Sequence, residues 1–111
     1  MTRKKRLKKT SVRIVNGCEV NTAIKRFTLA NTIEVECGTN GHHGGDTGHG
    51  SRTYIRITDL AGSDIRFVQD SERSLVMELG GDCELITIIR AMQYAANHLV
   101  YQAQKIEASG S

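Results

Sequence analysis

Residues 74–92 read SLVMELGGDCELITIIRAM, and the period of the apolar side chains changes in the middle of them. Up to Leu79 the chain alternates, with Leu75, Met77 and Leu79 on one face, as in a half-buried strand. Gly80 and Gly81 break that strand. Asp82 is a good N-cap, and Glu84 lies in the first turn, where an acid suits the helix dipole. From Asp82 to about Lys105, apolar residues fall at Leu85, Ile88, Ile89, Met92, Ala95, Ala96, Leu99, Ala103 and Ile106. That spacing predicts one face of a helix of roughly six turns.

Outward from this junction, the preceding chain reads as strands. Residues 11–16 (SVRIVN) run into Asn16 and Gly17, a strong hairpin signal. Residues 25–37 alternate at their end, with Ile33, Val35 and Cys37 opposite Thr32, Glu34 and Glu36. Residues 52–58 set Ile55 and Ile57 against Tyr54 and Arg56, and residues 64–69 set Ile65 and Phe67 against Arg66. Strands followed by a terminal helix predict an α+β fold: an antiparallel sheet of four to five strands with one long C-terminal helix packed on one face. Ile86, Val100 and Tyr101 lie off the main helical stripe, so the apolar arc is wider than one sheet contact needs. The spare surface predicts a homo-oligomer joined through this helix.

A chain of 111 residues holds one domain, here 11–107, flanked by a disordered basic tail at 1–10 and a flexible end at 108–111. No 18-residue apolar run is present, and no apolar segment follows MTRKKRLKKT, which excludes a membrane helix and a secretory signal. Three cysteines without a C-x-x-C pair point to free thiols and a cytoplasmic protein. Arg3, Lys4, Lys5, Arg6, Lys8 and Lys9 concentrate positive charge at the start. The remaining nine Lys/Arg face twelve Asp/Glu, so the body is mildly acidic. Such a tail serves as a solubilising arm or touches nucleic acid.

Residues 38–53, GTNGHHGGDTGHGSRT, hold six glycines and no large apolar side chain. Glycine in quantity lets backbone N–H groups gather into an anion-binding nest. The loop lacks GxxxxGK[ST] and leads into a strand, so it is not a P-loop. His42, His43, Asp46 and His49 form HHxxDxxH, residue types that bind zinc, manganese or iron. The same side chains also work as solvated loop residues, or as groups that hydrogen-bond or stack on an organic ligand. Cys83 opens the helix, where a thiol's pKa can fall, but no catalytic partner for it is legible.

Leu60, Ala61 and Gly62 fit a three-residue hairpin loop. That register pairs Ile57 with Ile65 and Ile55 with Phe67, and it places Arg56 opposite Arg66 on the outer face. Like charges so placed repel. Either Glu34 or Glu36 on a neighbouring strand neutralises them, or guanidinium groups grip an anionic ligand there. Arg52, Tyr54 and Arg56 share one face and run from the mouth of the glycine loop.

The run GTNGHHGGDTGHGSRTYIRITDLAGSDI, followed by ELGGDCELITIIRAMQYAANHL, resembles small proteins of phages and prophages with a GGDxGHGxRTY element and a GGDxEL helix start. Sheet followed by helix is also similar to phage anti-defence sponges. The anti-Thoeris family sequesters a cyclic ADP-ribose-type signal, and anti-CBASS sponges sequester cyclic oligonucleotides. The resemblance covers about residues 33–100. It implies a non-enzymatic protein of the infected host's cytoplasm, without cofactor, that captures a small phosphorylated nucleotide. In this reading Arg52, Arg56 and Arg66 take phosphates and Tyr54 stacks a base. The 44–50 backbone closes over the ligand, with Gly44, Gly45, His42, His43, Asp46 and His49 around it. The alternatives are a metal-dependent hydrolase or phosphodiesterase using His42, His43, Asp46 and His49, and a protein inhibitor or nucleic-acid binder using residues 3–9.

Overall fold

The computed structural model describes residues 9–45 and 50–110, the side chains of 105–110 excepted. The basic segment 1–8, the loop residues Asp46 and His49 and the last residue lie outside the described residues.

The α+β architecture is as the sequence predicts. Strands β1 (Lys9–Val15), β2 (Cys18–Thr28), β3 (Thr32–Thr39) and β4 (Thr53–Ala61) form an antiparallel meander in the order 1-2-3-4. Strands β5 (Ile65–Ser71) and β6 (Ser74–Leu79) form a separate two-stranded sheet, and α1 (Asp82–Gly110) closes the chain. Asn16 at φ 48° and Gly17 at φ 80° make the tight β1–β2 turn. Residues 25–37 are not one strand: the chain turns after Thr28 and re-enters at Thr32. Asn31, fully buried at that turn, donates from Nδ2 to Ser63 Oγ at 2.9 Å and to Thr87 Oγ1 at 3.0 Å. One amide thereby ties together the turn, the exit from β4 and the helix.

The expected hairpin across Gly62 does not form. β4 pairs with β3, β5 pairs with β6, and Arg56 therefore never faces Arg66. Electrostatics and packing agree on the observed register. Arg56 stands opposite Glu36, Arg66 opposite Glu78 and Arg26 opposite Glu34, while Ile57 meets Val35 and Phe67 meets Met77. Glu36 rather than Glu34 is the carboxylate beside Arg56, because Val35 aligns with Ile57 and not with Ile55.

The helix lies along β3, with Ile33, Val35 and Cys37 packed on Ile88, Ala91 and Ala95. Ile88, Ala95 and Leu99 of the expected stripe do pack on the sheet, but the rest of the stripe is corrected. Leu85, Ile89 and Met92 are about half exposed, while the small side chains of Ala91 and Ala95 face the sheet. Alanine at both positions lets the helix axis approach β3 closely, so the sheet takes the narrow stripe and leaves the bulky one outside.

β2 and β3 approach closely at Gly38, where a Cβ would fall inside the contact radius of the Asn21 carbonyl oxygen. Beyond that point Gln102 of α1 takes over the ladder. Its Oε1 accepts from Thr39 N at 2.9 Å and its Nε2 donates to Asn21 O at 3.0 Å. The sheet also coils strongly: Cα atoms of its two edge strands, β1 and β4, come within 8 Å of each other. The coil is concave on the face away from the helix, where Val20 and Thr22 are buried.

Candidate functional site

The stem of the glycine loop is built from short polar side chains. Asn40 N donates to Arg52 O at 3.1 Å, and Arg52 N donates to Asn40 Oδ1 at 2.7 Å, which closes the base of the loop. Thr39 Oγ1 donates to Arg52 O and accepts from Gly41 N and Thr53 Oγ1. Higher up, the two limbs touch: a Cβ on Gly50, which sits at φ 33°, would collide with the Gly45 carbonyl. Glycine is required there by contact and by backbone conformation together. Arg52 is buried and its Nη1 donates to Gly50 O at 2.9 Å, so its guanidinium serves the loop. His43 bonds through its ring to Asn40 O at 2.8 Å, and His42 and His43 are both exposed.

The concave face carries the denser electrostatics. Arg13 of β1 reaches over β2 to Glu36 of β3, with Nε at 2.7 Å from one carboxylate oxygen and Nη2 at 2.6 Å from the other. Thr22 Oγ1 adds a third donor to Glu36 at 2.6 Å. The Arg13 hydrogen bonds hold the Glu36 carboxyl below the usual carboxylate range, against the opposing effect of burial. Arg13 also lies over the Tyr54 ring, 5.2 Å from its centroid. Arg56 follows Tyr54 by two residues on the same face and is exposed. Its register partner Glu36 is already taken by Arg13 and Thr22, and among the described residues Arg56 makes no ion pair. Among the described strand residues, Arg13, Arg26 and Arg56, with Lys9 at the edge, share this face with Glu34 and Glu36 as its acids. This face of the sheet is net positive although the body of the chain is mildly acidic.

Of the residues singled out in the sequence, Tyr54 and Arg56 thus lie together on the concave face. Arg52 is folded into the loop stem, and Arg66 belongs to the other sheet, where it is paired with Glu78. Gly44 and Gly45 are exposed loop residues. Two of the four HHxxDxxH residues are outside the described part, and no group of three His, Cys, Asp or Glu side chains gathers among the described residues. Burial pushes the Cys37 thiol up to about 11, so at neutral pH it is protonated.

Sequence reading missed Arg13. The signal was present: a two-residue turn at Asn16 and Gly17 sets Val15 opposite Cys18 and therefore Arg13 opposite Val20, on the face that carries Glu36. The coil that brings Arg13 to Glu36 and Tyr54 has no local signature.

Two grooves flank α1. On the β1 side a groove of about 470 Å³ is lined by Thr10, Ser11, Asn21, His98 and Gln102, next to the ring row Phe27, Tyr94, His98 and Tyr101. On the β4 side a smaller cavity of about 230 Å³ is lined by Thr39, His42, Thr53, Leu99, Val100 and Ala103. No helix is long and apolar enough to cross a membrane among the described residues. No protein-family model matches the chain, and no curated protein or solved structure matches it.

Proposed function

We propose that this chain is a binding protein, not an enzyme, that captures a small phosphorylated nucleotide on the concave face of its sheet. The setting we propose is the cytoplasm of an infected bacterium, where a phage protein of this kind sequesters a cyclic nucleotide signal. The observation that carries the reading is Arg56: an exposed guanidinium whose facing carboxylate is spent on Arg13, two residues from the half-exposed ring of Tyr54. A phosphate takes the Arg56 fork bidentately, and a base stacks on Tyr54. The glycine loop borders the same strand at its start, but His42 lines the cavity beside α1 on the opposite face of the sheet, so the nucleotide is held by Arg56 and Tyr54. Arg66, committed to Glu78 on the second sheet, has no part in this site.

The test is calorimetric titration with cyclic di- and trinucleotides and cyclic ADP-ribose isomers. Arg56→Lys keeps the charge and loses the planar fork, so affinity for the bound nucleotide falls about tenfold or more. Failure of the wild type to bind any of these nucleotides, or equal binding by Arg56→Lys, overturns the assignment. Native mass spectrometry of freshly purified protein tests the metal alternative directly: a bound transition metal would favour the histidine loop as a hydrolytic centre.

A further inference from the structure

We infer that the uncovered stripe of α1 pairs with the same stripe of a second copy, antiparallel and about a two-fold axis near residue 94. The stripe is Leu85, Ile89, Met92, Ala96, Val100 and Ala103, and no charged residue interrupts it. Leu85, Ile89, Met92 and Val100 are each between 45 and 55 % exposed. The stripe lies on the β4 side of the helix, because Val100 and Ala103 line a cavity with Thr53 while His98 and Gln102 line the groove toward β1. There it joins the helix-side face of β4, where Ile55, opposite Cys37, is 56 % exposed. Together these side chains present on the order of 400 Å² of apolar surface, within the range in which the largest patch of a monomer is often functional.

A second copy, not some other apolar partner, is indicated by the order of side-chain sizes along the stripe. Its first half is bulky (Leu85, Ile89, Met92) and its second half is mostly small (Ala96, Val100, Ala103). Antiparallel pairing about residue 94 sets Leu85 against Ala103, Ile89 beside Val100, and Met92 against Ala96. Bulk meets small at the two ends of the stripe and at its centre, as an isologous contact requires. A parallel pair would instead set bulk on bulk at one end and leave alanine facing alanine at the other. The antiparallel arrangement also opposes the two helix dipoles, and it lays each helix over the partner's Ile55 edge. The inference concerns assembly alone and stands whether or not a nucleotide binds.

Sedimentation velocity on the full chain gives the first readout: a dimer mass for the wild type across micromolar concentrations. Ala96→Glu, at an exposed position, raises the dissociation constant at least tenfold while the circular dichroism spectrum stays unchanged. Asn97→Asp, on the neighbouring polar face, leaves the mass as it was. Oxidative cross-linking against a wild-type control then fixes the geometry. Ala96→Cys alone stays uncrosslinked, because the two copies of residue 96 are offset along the axis beyond disulfide reach, whereas Met92→Cys with Ala96→Cys links the dimer. A concentration-independent monomer, an undiminished dimer in Ala96→Glu, cross-linking of the single variant, or none in the double one would each overturn the proposal.

Discussion

Arg13 holds both carboxylate oxygens of Glu36 from two strands away, with β2 running beneath the contact. Adjacent strands are already joined by backbone hydrogen bonds, so a pair that skips a strand works on curvature. It pulls the β1 edge inward over the concave face and stacks the Arg13 guanidinium on Tyr54 of the opposite edge. Glu36 is 3 % exposed beneath Arg13, and removing the guanidinium leaves the carboxylate with the Thr22 hydroxyl as its remaining side-chain donor. Arg13→Ala is therefore expected to destabilise the fold measurably, and more than the loss of an exposed ion pair would. Chemical denaturation measures the loss, and no measurable change would mean that the pair is only decorative.

The same pair sets an acid limit. Glu36 has a folded-state pKa below its unfolded value, so its contribution is complete above the unfolded carboxylate pKa of about 4.3. That contribution is lost as pH falls through the depressed folded value. Thermal melts from pH 6 down to pH 2 should show a steeper decline for wild type than for Glu36→Gln, whose amide does not titrate. Parallel curves would remove Glu36 from the account.

Gln102 replaces a rung of the sheet where β2 and β3 part, and the two ends of its amide are not equivalent. Gln102→Glu keeps an acceptor for Thr39 N–H but turns a second oxygen toward the Asn21 carbonyl. Gln102→Leu keeps the length and strands both backbone groups. Both substitutions should destabilise the fold by about 1–3 kcal/mol. Both should also speed amide exchange at Thr39, the residue from which the glycine loop departs. Unchanged exchange at Thr39 would show that water serves there as well as Gln102 does.

How much of this was legible in the sequence follows from range. The Asn16 and Gly17 turn, the alternation around Val35 and the strand-to-helix switch at Gly80 and Gly81 are local, and each was readable from a few residues. The pairing of β4 was not. Leu60, Ala61 and Gly62 make an acceptable hairpin loop, and Ile55 and Ile57 suit either neighbour, so short-range pattern favoured β5. What distinguishes β3 is charge: Glu36 lies opposite Arg56 in one register, and Arg66 opposes it in the other. The helix misled for a related reason. Ile88 and Ala95 belong to the predicted stripe, but two adjacent apolar stripes satisfy the same periodicity, and only the sheet's need for close approach selects Ala91 over Leu85, Ile89 and Met92 to complete the buried one. At the candidate site Tyr54 and Arg56 were readable by alternation, whereas Arg13 depends on the coil of the whole sheet.

Gly38 tests the crossing that permits this coil. A side chain there meets backbone atoms of Asn21 and Thr22, which no rotamer change relieves. Gly38→Ala should cost more than the usual overpacking range of about 1–3 kcal/mol, because the obstacle is main chain. It should also weaken the Arg13 contact by forcing β2 and β3 apart. A fully stable Gly38→Ala protein would mean that the two strands can separate at no cost to the sheet.

Arg66 separates charge as decoration from charge as function. Its guanidinium bonds to Glu78 across the β5–β6 pair, and both side chains are more than half exposed. The Glu78 contact raises the Arg66 pKa further above an already high value, so protonation is never in question and pH brings no switch. An exposed pair in water contributes little, because solvent screens it and two flexible side chains lose freedom to form it. Arg66→Ala should accordingly leave the melting temperature nearly unchanged, with a smaller effect still at high salt. Nucleotide affinity should not change, in contrast to Arg56→Lys, since Arg66 stands on a sheet that shares no ladder with β4. Melts at low and high salt, run beside the calorimetric titration, measure both quantities on one preparation. A tenfold loss of nucleotide affinity in Arg66→Ala would place the second sheet in the binding site and move the ligand off the concave face.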